Sequence, residues 1–435
     1  MPLQRPRWRA LALLAAFSLI AGACGDDDEG DTTLGDDSGT TQTSESDDAA
    51  PAPDNVGDGT LKIGTLLPET GTLAAFGPPE AAAVELATRD INEAGGVLGN
   101  PVEVTGGDSG DTSTNIANQT VDRLLSRNVD VIIGAASSGV SFTVIDKITG
   151  AGVVQFSPAN TSPDFTDYDD DGLYFRTAPS DVLQGRILGE HIIEEGNTTV
   201  GIIALQDPYG EGLAENVALT IEDSGGEVVA TEIYDPQAQN FDAEIQSLVS
   251  ADPDAIVVIG FVESARIIST MIEQGIGPDT KNVYTVDGNT TNTLGEGLPP
   301  GTLEGISGTI PGGETSEDFR QRLLEVDPGL TDFLYSGETY DAVVATALAA
   351  EVAGSDAGRA IADVLADVTR EGEKCTTFAD CKSLVEAGTD IDYDGVSGPI
   401  ELSDAGDPTE ASIGIYTFGP DNQLSDDVIY RSGTL

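Results

Sequence analysis

Residues 129–139, VDVIIGAASSG, read as a strand that runs through a loop of small residues onto a helix. Val129–Ile133 is the strand, Gly134-Ala135-Ala136-Ser137-Ser138-Gly139 is the loop, and Val140, Val144 and Ile148 then share one helical face. The same unit recurs on either side. Leu61–Leu67 (LKIGTLL) precedes a helix from about Glu80 to Ala94, with Val84, Ala87 and Ile91 in line and Gly95-Gly96 as its stop. Pro101–Thr105 precedes a helix through Ile116, Thr120 and Leu124, and Val153–Phe156 makes a fourth strand.

The segment Phe165–Asp181 breaks this rhythm, which then restarts. Thr199–Leu205, Val228–Ile233, Ala255–Gly260 and Asn282–Val286 read as strands. Helices follow Tyr209 and cover Asp242–Ser250 and Ser264–Gln274. Two runs of βα units imply an α/β architecture of two lobes, each a mostly parallel sheet flanked by helices. After Gly305 the order changes. Helices near Phe319–Leu324, Tyr340–Ala353 and Ala357–Thr369 suggest a return to the first lobe, and strands near Pro399–Leu402, Ala411–Phe418 and Val428–Tyr430 a cap on the second.

The N-terminus reads as an export signal. Arg5, Arg7 and Arg9 precede an apolar run, Ala10–Ala21, too short to span a bilayer, and then Gly22-Ala23-Cys24. This resembles the bacterial lipoprotein signal over 1–24, in which Cys24 would carry the lipid; Ala21 departs from the Leu usual three residues before the Cys. Residues 25–58 are acidic and nearly devoid of large apolar side chains, so a disordered linker is expected, with an end-to-end distance of about 30 Å. The expected location is the outer face of a cytoplasmic membrane.

The chain carries 76 acidic and 19 basic residues, which disfavours nucleic acid and anionic lipid as partners. So acidic a surface suits a salty medium; the expected outcome is a thermal midpoint that rises with added salt. Cys375 and Cys381, with five residues between them, read as a disulfide contributing about 2 kcal/mol. With His191 the only histidine, a zinc site is disfavoured.

Open parallel sheets bind ligands beyond the carboxyl ends of their strands. In the first lobe those ends lead to Ser138, which suits a carboxylate or is simply a helix cap, and to the polar loop Ser157-Pro158-Ala159-Asn160-Thr161-Ser162-Pro163. In the second they lead to Asp207-Pro208-Tyr209-Gly210, to Phe261 and to Asp287. Asp287 could pair with an ammonium group or be ordinary turn chemistry before Gly288. Phe76 follows the first strand. Hydroxyls and amides on one lobe, and a carboxylate with aromatics on the other, match the two ends of an α-amino acid.

From Leu61 onward the chain resembles the leucine/isoleucine/valine-binding proteins, the amino-acid branch of the type I periplasmic solute-binding proteins of ABC importers. The carrying motifs are LKIGTLLPETGTLAAFG, DINEAGGVLGNPVEV, IIGAASSGV, FSPANTSPDFTD, YFRTAPSD, DPYGEGLA and YDGVSGPIELSDAGD. The resemblance implies that Ser138, Ala159 and Thr161 hold the ligand carboxylate and that Asp287 holds its ammonium. It implies that Tyr209 closes over the ligand, Phe261 lies near the ammonium, and Phe76, Ala135 and Ala136 line the side-chain pocket. It further implies hinge closure of two lobes, 59–179 with 310–397 and 180–309 with 398–435, joined near Ala178–Asp181, Thr309–Pro311 and Ser397–Pro399. The expected partners are an apolar or branched amino acid and a permease–ATPase complex, with no cofactor, no catalysis, and the binding protein a monomer. Amides, urea-like solutes or aromatic acids are the alternative ligands, and sensing the alternative role.

Asp167-Tyr168-Asp169-Asp170-Asp171-Gly172 fits the start of a calcium loop, D-x-D-x-D-G, but Ala178 stands where the bidentate Glu belongs, so a solvated acidic turn fits better. The glycines at 295, 297 and 301 have the wrong spacing for a dinucleotide loop.

Overall fold

A computed structural model describes residues 56–435. Cys24, the signal and the linker up to residue 55 lie outside the described residues. At the start of the described residues the backbone N–H groups of Asp58 and Gly59 donate to the Asp356 carboxylate.

The first run is β1 (Lys62–Leu66), α1 (Gly77–Glu93), β2 (Glu103–Thr105), α2 (Ile116–Leu125), β3 (Val131–Gly134), the short α3 (Ser138–Phe142) and α4 (Ile145–Thr149), β4 (Val154–Ser157) and β5 (Tyr174–Arg176). The five strands are parallel, in the order β2-β1-β3-β4-β5. The second run is α5 (Asp181–Glu194), β6 (Thr199–Leu205), α6 (Pro208–Asp223), β7 (Glu227–Tyr234), α7 (Asp242–Ala251), β8 (Ala255–Ile259), α8 (Ser264–Glu273), β9 (Asn282–Thr285) and β10 (Ser307–Pro311). The chain then adds α9 (Glu317–Val326), α10 (Ser336–Ala353), α11 (Gly358–Leu365), β11 (Glu373–Cys375), α12 (Phe378–Glu386) and β12 (Ile391–Tyr393) before β13 (Glu410–Thr417) and β14 (Ile429–Thr434). The second sheet runs β14-β13-β10-β9-β8-β6-β7, parallel except where β13 meets β10 and β14.

The patterning explains the layers. Every residue of β3 and β8 is buried, as in parallel strands covered on both faces. Helix α10 is buried from Ser336 to Ala350 and packs on α1 and on β3 and β4. Its alanines suit a helix enclosed on all sides, where a larger side chain would overpack by about 1–3 kcal/mol. Ser180, Asp207, Ser316 and Thr377 each cap a following helix by accepting a backbone N–H, which is worth about 1 kcal/mol apiece. The disulfide Cys375–Cys381 joins β11 to α12, with Cα atoms 5.3 Å apart.

Three departures from the sequence reading bear on the site. The segment expected to break the rhythm supplies a fifth strand, β5. Helix α12 and the pair β11–β12 form a small parallel unit that was not expected. The third passage between lobes falls at 408–410 rather than Ser397–Pro399. Ile400 and Leu402 are buried in the first lobe's core, and the Gly406 carbonyl accepts the Arg176 N–H.

The first two passages meet Glu338 in the first turn of α10, and the Ser397 segment, ahead of the third, is tied to Asp341 further along that helix. The Thr177 hydroxyl donates to the Glu338 carbonyl at 2.9 Å. A Cβ on Gly312 would lie 2.5 Å from Glu338 Oε1. The Ser397 N–H and hydroxyl donate to Asp341 at 2.8 and 2.5 Å. Burial pushes the Glu338 carboxyl up to about 8, so the turn meets Gly312 with a carboxyl that is mostly neutral at pH 7.

Candidate functional site

The strand-end loops of the first lobe are stitched together. Gly134 has φ +118°, and a Cβ there would sit 2.1 Å from the Leu66 carbonyl, so only glycine lets β3 turn into its loop. The Ser157 hydroxyl donates to the Ala135 carbonyl at 2.7 Å, and Asn160 Nδ2 to the carbonyls of Ala135 and Ala136 at 3.1 and 2.8 Å. Behind this loop lies Arg176, fully buried. It donates to Asp407 through Nε at 2.5 Å, to the Ser162 carbonyl through Nη1 at 2.7 Å and to the Thr166 hydroxyl through Nη2 at 3.2 Å.

Ser137, not Ser138, caps α3, accepting the Val140 N–H. Ser138 Oγ instead accepts the N–H groups of Thr161 and Ser162, both at 3.3 Å, which leaves its proton available to donate. Ala136, Ser138, Ala159 and Thr161 are all buried. The Thr161 carbonyl accepts the N–H of Asp181, the first residue of α5. One hydrogen-bonded chain therefore links Ser138, Thr161 and Asp181.

In the second lobe, Tyr209 stacks on Phe261 at 5.5 Å between ring centroids. Asp287 Oδ1 accepts from Tyr209 Oη at 2.8 Å and Gln184 Nε2 at 2.9 Å, and Oδ2 accepts from Tyr335 Oη at 2.6 Å. The Tyr335 ring lies 5.5 Å from that of Phe76. Phe76 and Phe261 also face a cavity of about 250 Å³ whose wall includes Leu73, Thr291 and Leu294.

Two carboxylates are thus fully enclosed, in unlike surroundings. Burial raises the pKa of Asp287, while its bonds from Tyr335, Gln184 and Tyr209 pull the other way. Neither oxygen of Asp181 accepts a hydrogen bond. Burial, and then the Asp287 charge, hold Asp181 well above the carboxylate range, with the nearby Thr161 hydroxyl opposing them. Burial and their mutual repulsion therefore both favour retention of a proton by the pair in the ligand-free site. Asp207, at the start of α6, is pushed up to about 6 by burial.

The structure brings Phe76, Ala136, Ser138, Ala159, Thr161, Tyr209, Phe261 and Asp287 to the junction of the lobes. Strand-end reasoning missed Asp181, Gln184 and Tyr335. The calcium reading does not hold together: Asp167, Asp169 and Asp171 are exposed, Asp171 pairs with Arg359, and Asp170 accepts the N–H of Gly172 to close a turn. Among the described residues, the acidic group whose oxygens do converge is Asp392, Asp394 and Glu401, and the Lys374 ammonium already sits among them at 2.9, 2.9 and 3.1 Å.

Comparison with known proteins bears on this arrangement. The family described as periplasmic binding protein matches residues 60–413. The chain is 27% identical over 310 residues to Leu/Ile/Val-binding protein homolog 1 of Brucella suis, covering 70% of this chain and 81% of that one. The fold is shared with the branched-chain amino acid transporter substrate-binding protein LivJ of Streptococcus pneumoniae in complex with isoleucine. That likeness has a TM-score of 0.70 at 23% identity, over 86% of this chain and 100% of that one. A solute-binding protein of R. palustris in complex with benzoate aligns with a TM-score of 0.69 at 17% identity, over 87% and 98% of the two chains.

Proposed function

The chain belongs to the periplasmic binding protein family, and on that premise we propose that it captures an apolar α-amino acid between its lobes and delivers it to an ABC permease and ATPase. The reading is carried by Asp181, an enclosed carboxyl without a hydrogen bond, linked through Thr161 to a serine whose proton is available to donate. A zwitterion answers both needs at once. Its carboxylate takes the Ser138 hydroxyl, and its ammonium takes Asp181 and the Thr161 hydroxyl. Charge-assisted hydrogen bonds of this kind are about twice as strong as neutral ones.

Asp287 then has a different part from the one expected of it. Three donors already occupy it, so it positions Tyr209 and Tyr335 over the ligand and adds its charge to the field at the ammonium. The cavity beside Phe76, Phe261 and Leu294 receives the apolar side chain. The anchored form of this proposal has Cys24 carrying a lipid, the acidic linker as leash, and the protein acting as a monomer without a cofactor.

The benzoate complex favours a second reading, an aromatic acid as ligand. A purely anionic ligand would enter beside two enclosed carboxyls with no ammonium to satisfy Asp181, which weighs against it. Titration calorimetry of the protein with leucine, isoleucine, valine, phenylalanine, leucinamide and benzoate is the test. Saturable binding of the free amino acids with no heat from benzoate is expected. Binding of benzoate alone would sink the amino-acid reading.

A further inference from the structure

We propose that residues 331–335, within the connection between α9 and α10, form a strap that holds the cleft shut through protein–protein hydrogen bonds, with Asp332 and Tyr335 as its hooks. The inference rests on the reading that the lobes close around a ligand. Helices α9 and α10 pack on α1 in the first lobe, yet their connection reaches the second lobe at two points. Asp332 Oδ1 accepts from Asn292 Nδ2 at 2.8 Å and from the Asn292 N–H at 3.4 Å, and the Thr331 carbonyl accepts from Asn292 Nδ2 at 3.3 Å. The Tyr335 hydroxyl donates to Asp287.

Both ends of the strap are fixed. Asn292 is held in the second lobe, where its Oδ1 accepts the Leu424 N–H at 2.9 Å. On the first-lobe side the Ser336 hydroxyl donates to the Phe333 carbonyl at 2.7 Å, and the Arg320 guanidinium lies over the Phe333 ring at 5.7 Å. Leu334 and Tyr335 are buried in the same apolar cluster as Phe261 and Leu294 of the opposite lobe. Tyr335 itself has φ +55° and ψ +10°, a left-handed backbone that a bulky aromatic residue rarely adopts. Such a conformation persists where surrounding contacts impose it, and here the hydroxyl bond to Asp287 and the ring contact with Phe76 do so.

Because the hooks are protein groups, they favour closure whether or not a ligand is present. A ligand that binds the closed form then needs to shift the equilibrium less, and opening becomes a barrier to its release. Tyr335 and Asp332 are positioning residues: they set how long the cleft stays shut.

Hydrogen exchange on the ligand-free protein tests this with Tyr335→Phe, which keeps the ring, and Asn292→Ala, which removes the side-chain donor facing Asp332. Exchange within 286–292 and 331–336 is expected to rise about tenfold in each variant, as for one lost hydrogen bond to a charged group, while the amides of β6 and β8 stay unchanged. Where the parent binds leucine, its release rate is expected to rise in Asn292→Ala, whose side chain faces Asp332 rather than the ligand. Unchanged exchange in both segments in both variants overturns the strap, as does exchange that rises equally in β6 and β8. If leucine fails to bind the parent, the proposed ligand is wrong, and the exchange of the ligand-free protein still decides the strap.

Discussion

Asp181→Asn is expected to weaken amino-acid binding by roughly 2–5 kcal/mol, about thirtyfold or more, without lowering the stability of the ligand-free protein. The two effects separate because the carboxyl is enclosed without a hydrogen bond. Its burial costs folding free energy that an amide of the same shape does not increase, whereas only the carboxylate can neutralise an ammonium. A proton signature goes with this. Burial and the Asp287 charge raise the pKa of Asp181 in the ligand-free site, and a bound ammonium lowers it, so binding releases a proton. The bound form therefore gains on the free form as pH rises, up to the raised value, and affinity increases in that direction. Calorimetry in two buffers of different ionisation enthalpy reads the release directly. It is expected in the parent and absent in Asp181→Asn. A variant that binds leucine as tightly as the parent would exclude Asp181 from the site.

That Asp181 escaped the sequence reading has a specific cause. Ser138, Thr161, Tyr209, Phe261 and Asp287 all follow strands that announce themselves by apolar runs, so the rule that ligands gather at strand ends finds them. Asp181 follows β5, only Tyr174–Arg176, which lies in a polar stretch and includes an arginine. A three-residue strand carries too little alternation to be told from a loop. Tyr335 is hidden differently. It precedes a helix rather than following a strand, and its left-handed backbone is imposed by contacts with Phe76 and Asp287, residues far away in the chain. The placing of the third passage turned on Ile400 and Leu402, an apolar pair that reads locally as a strand but fills the first lobe's core. The architecture was legible because helices and buried strands repeat periodically; the connections were not, because tertiary contacts define them.

The residue behind the site carries the largest expected effect on stability. Arg176→Met is expected to cost roughly 3–5 kcal/mol, the range for breaking a buried ion pair from one side. Arg176 has no exposed surface, and Asp407, its partner at 2.5 Å, is itself buried. Without the guanidinium, Asp407 keeps the Thr166 hydroxyl at 2.6 Å as its remaining side-chain donor, too little to offset an enclosed charge. The Ser162 carbonyl loses its donor as well, and with it the loop that presents Thr161 to the ligand slackens. Because Asp407 stands at the end of the 399–408 segment, just before the third passage, the loss also loosens the chain where it leaves the first lobe. Thermal unfolding is the measurement, with a fall of about 5–10 °C expected. Pairing the change with Asp407→Asn removes the stranded charge and is expected to recover part of that fall, so the double variant should be more stable than the sum of the two single changes predicts. A midpoint within a degree of the parent for Arg176→Met would mean that the pair contributes nothing, and that the loop holding Thr161 is fixed by Asn160 and Ser157 alone.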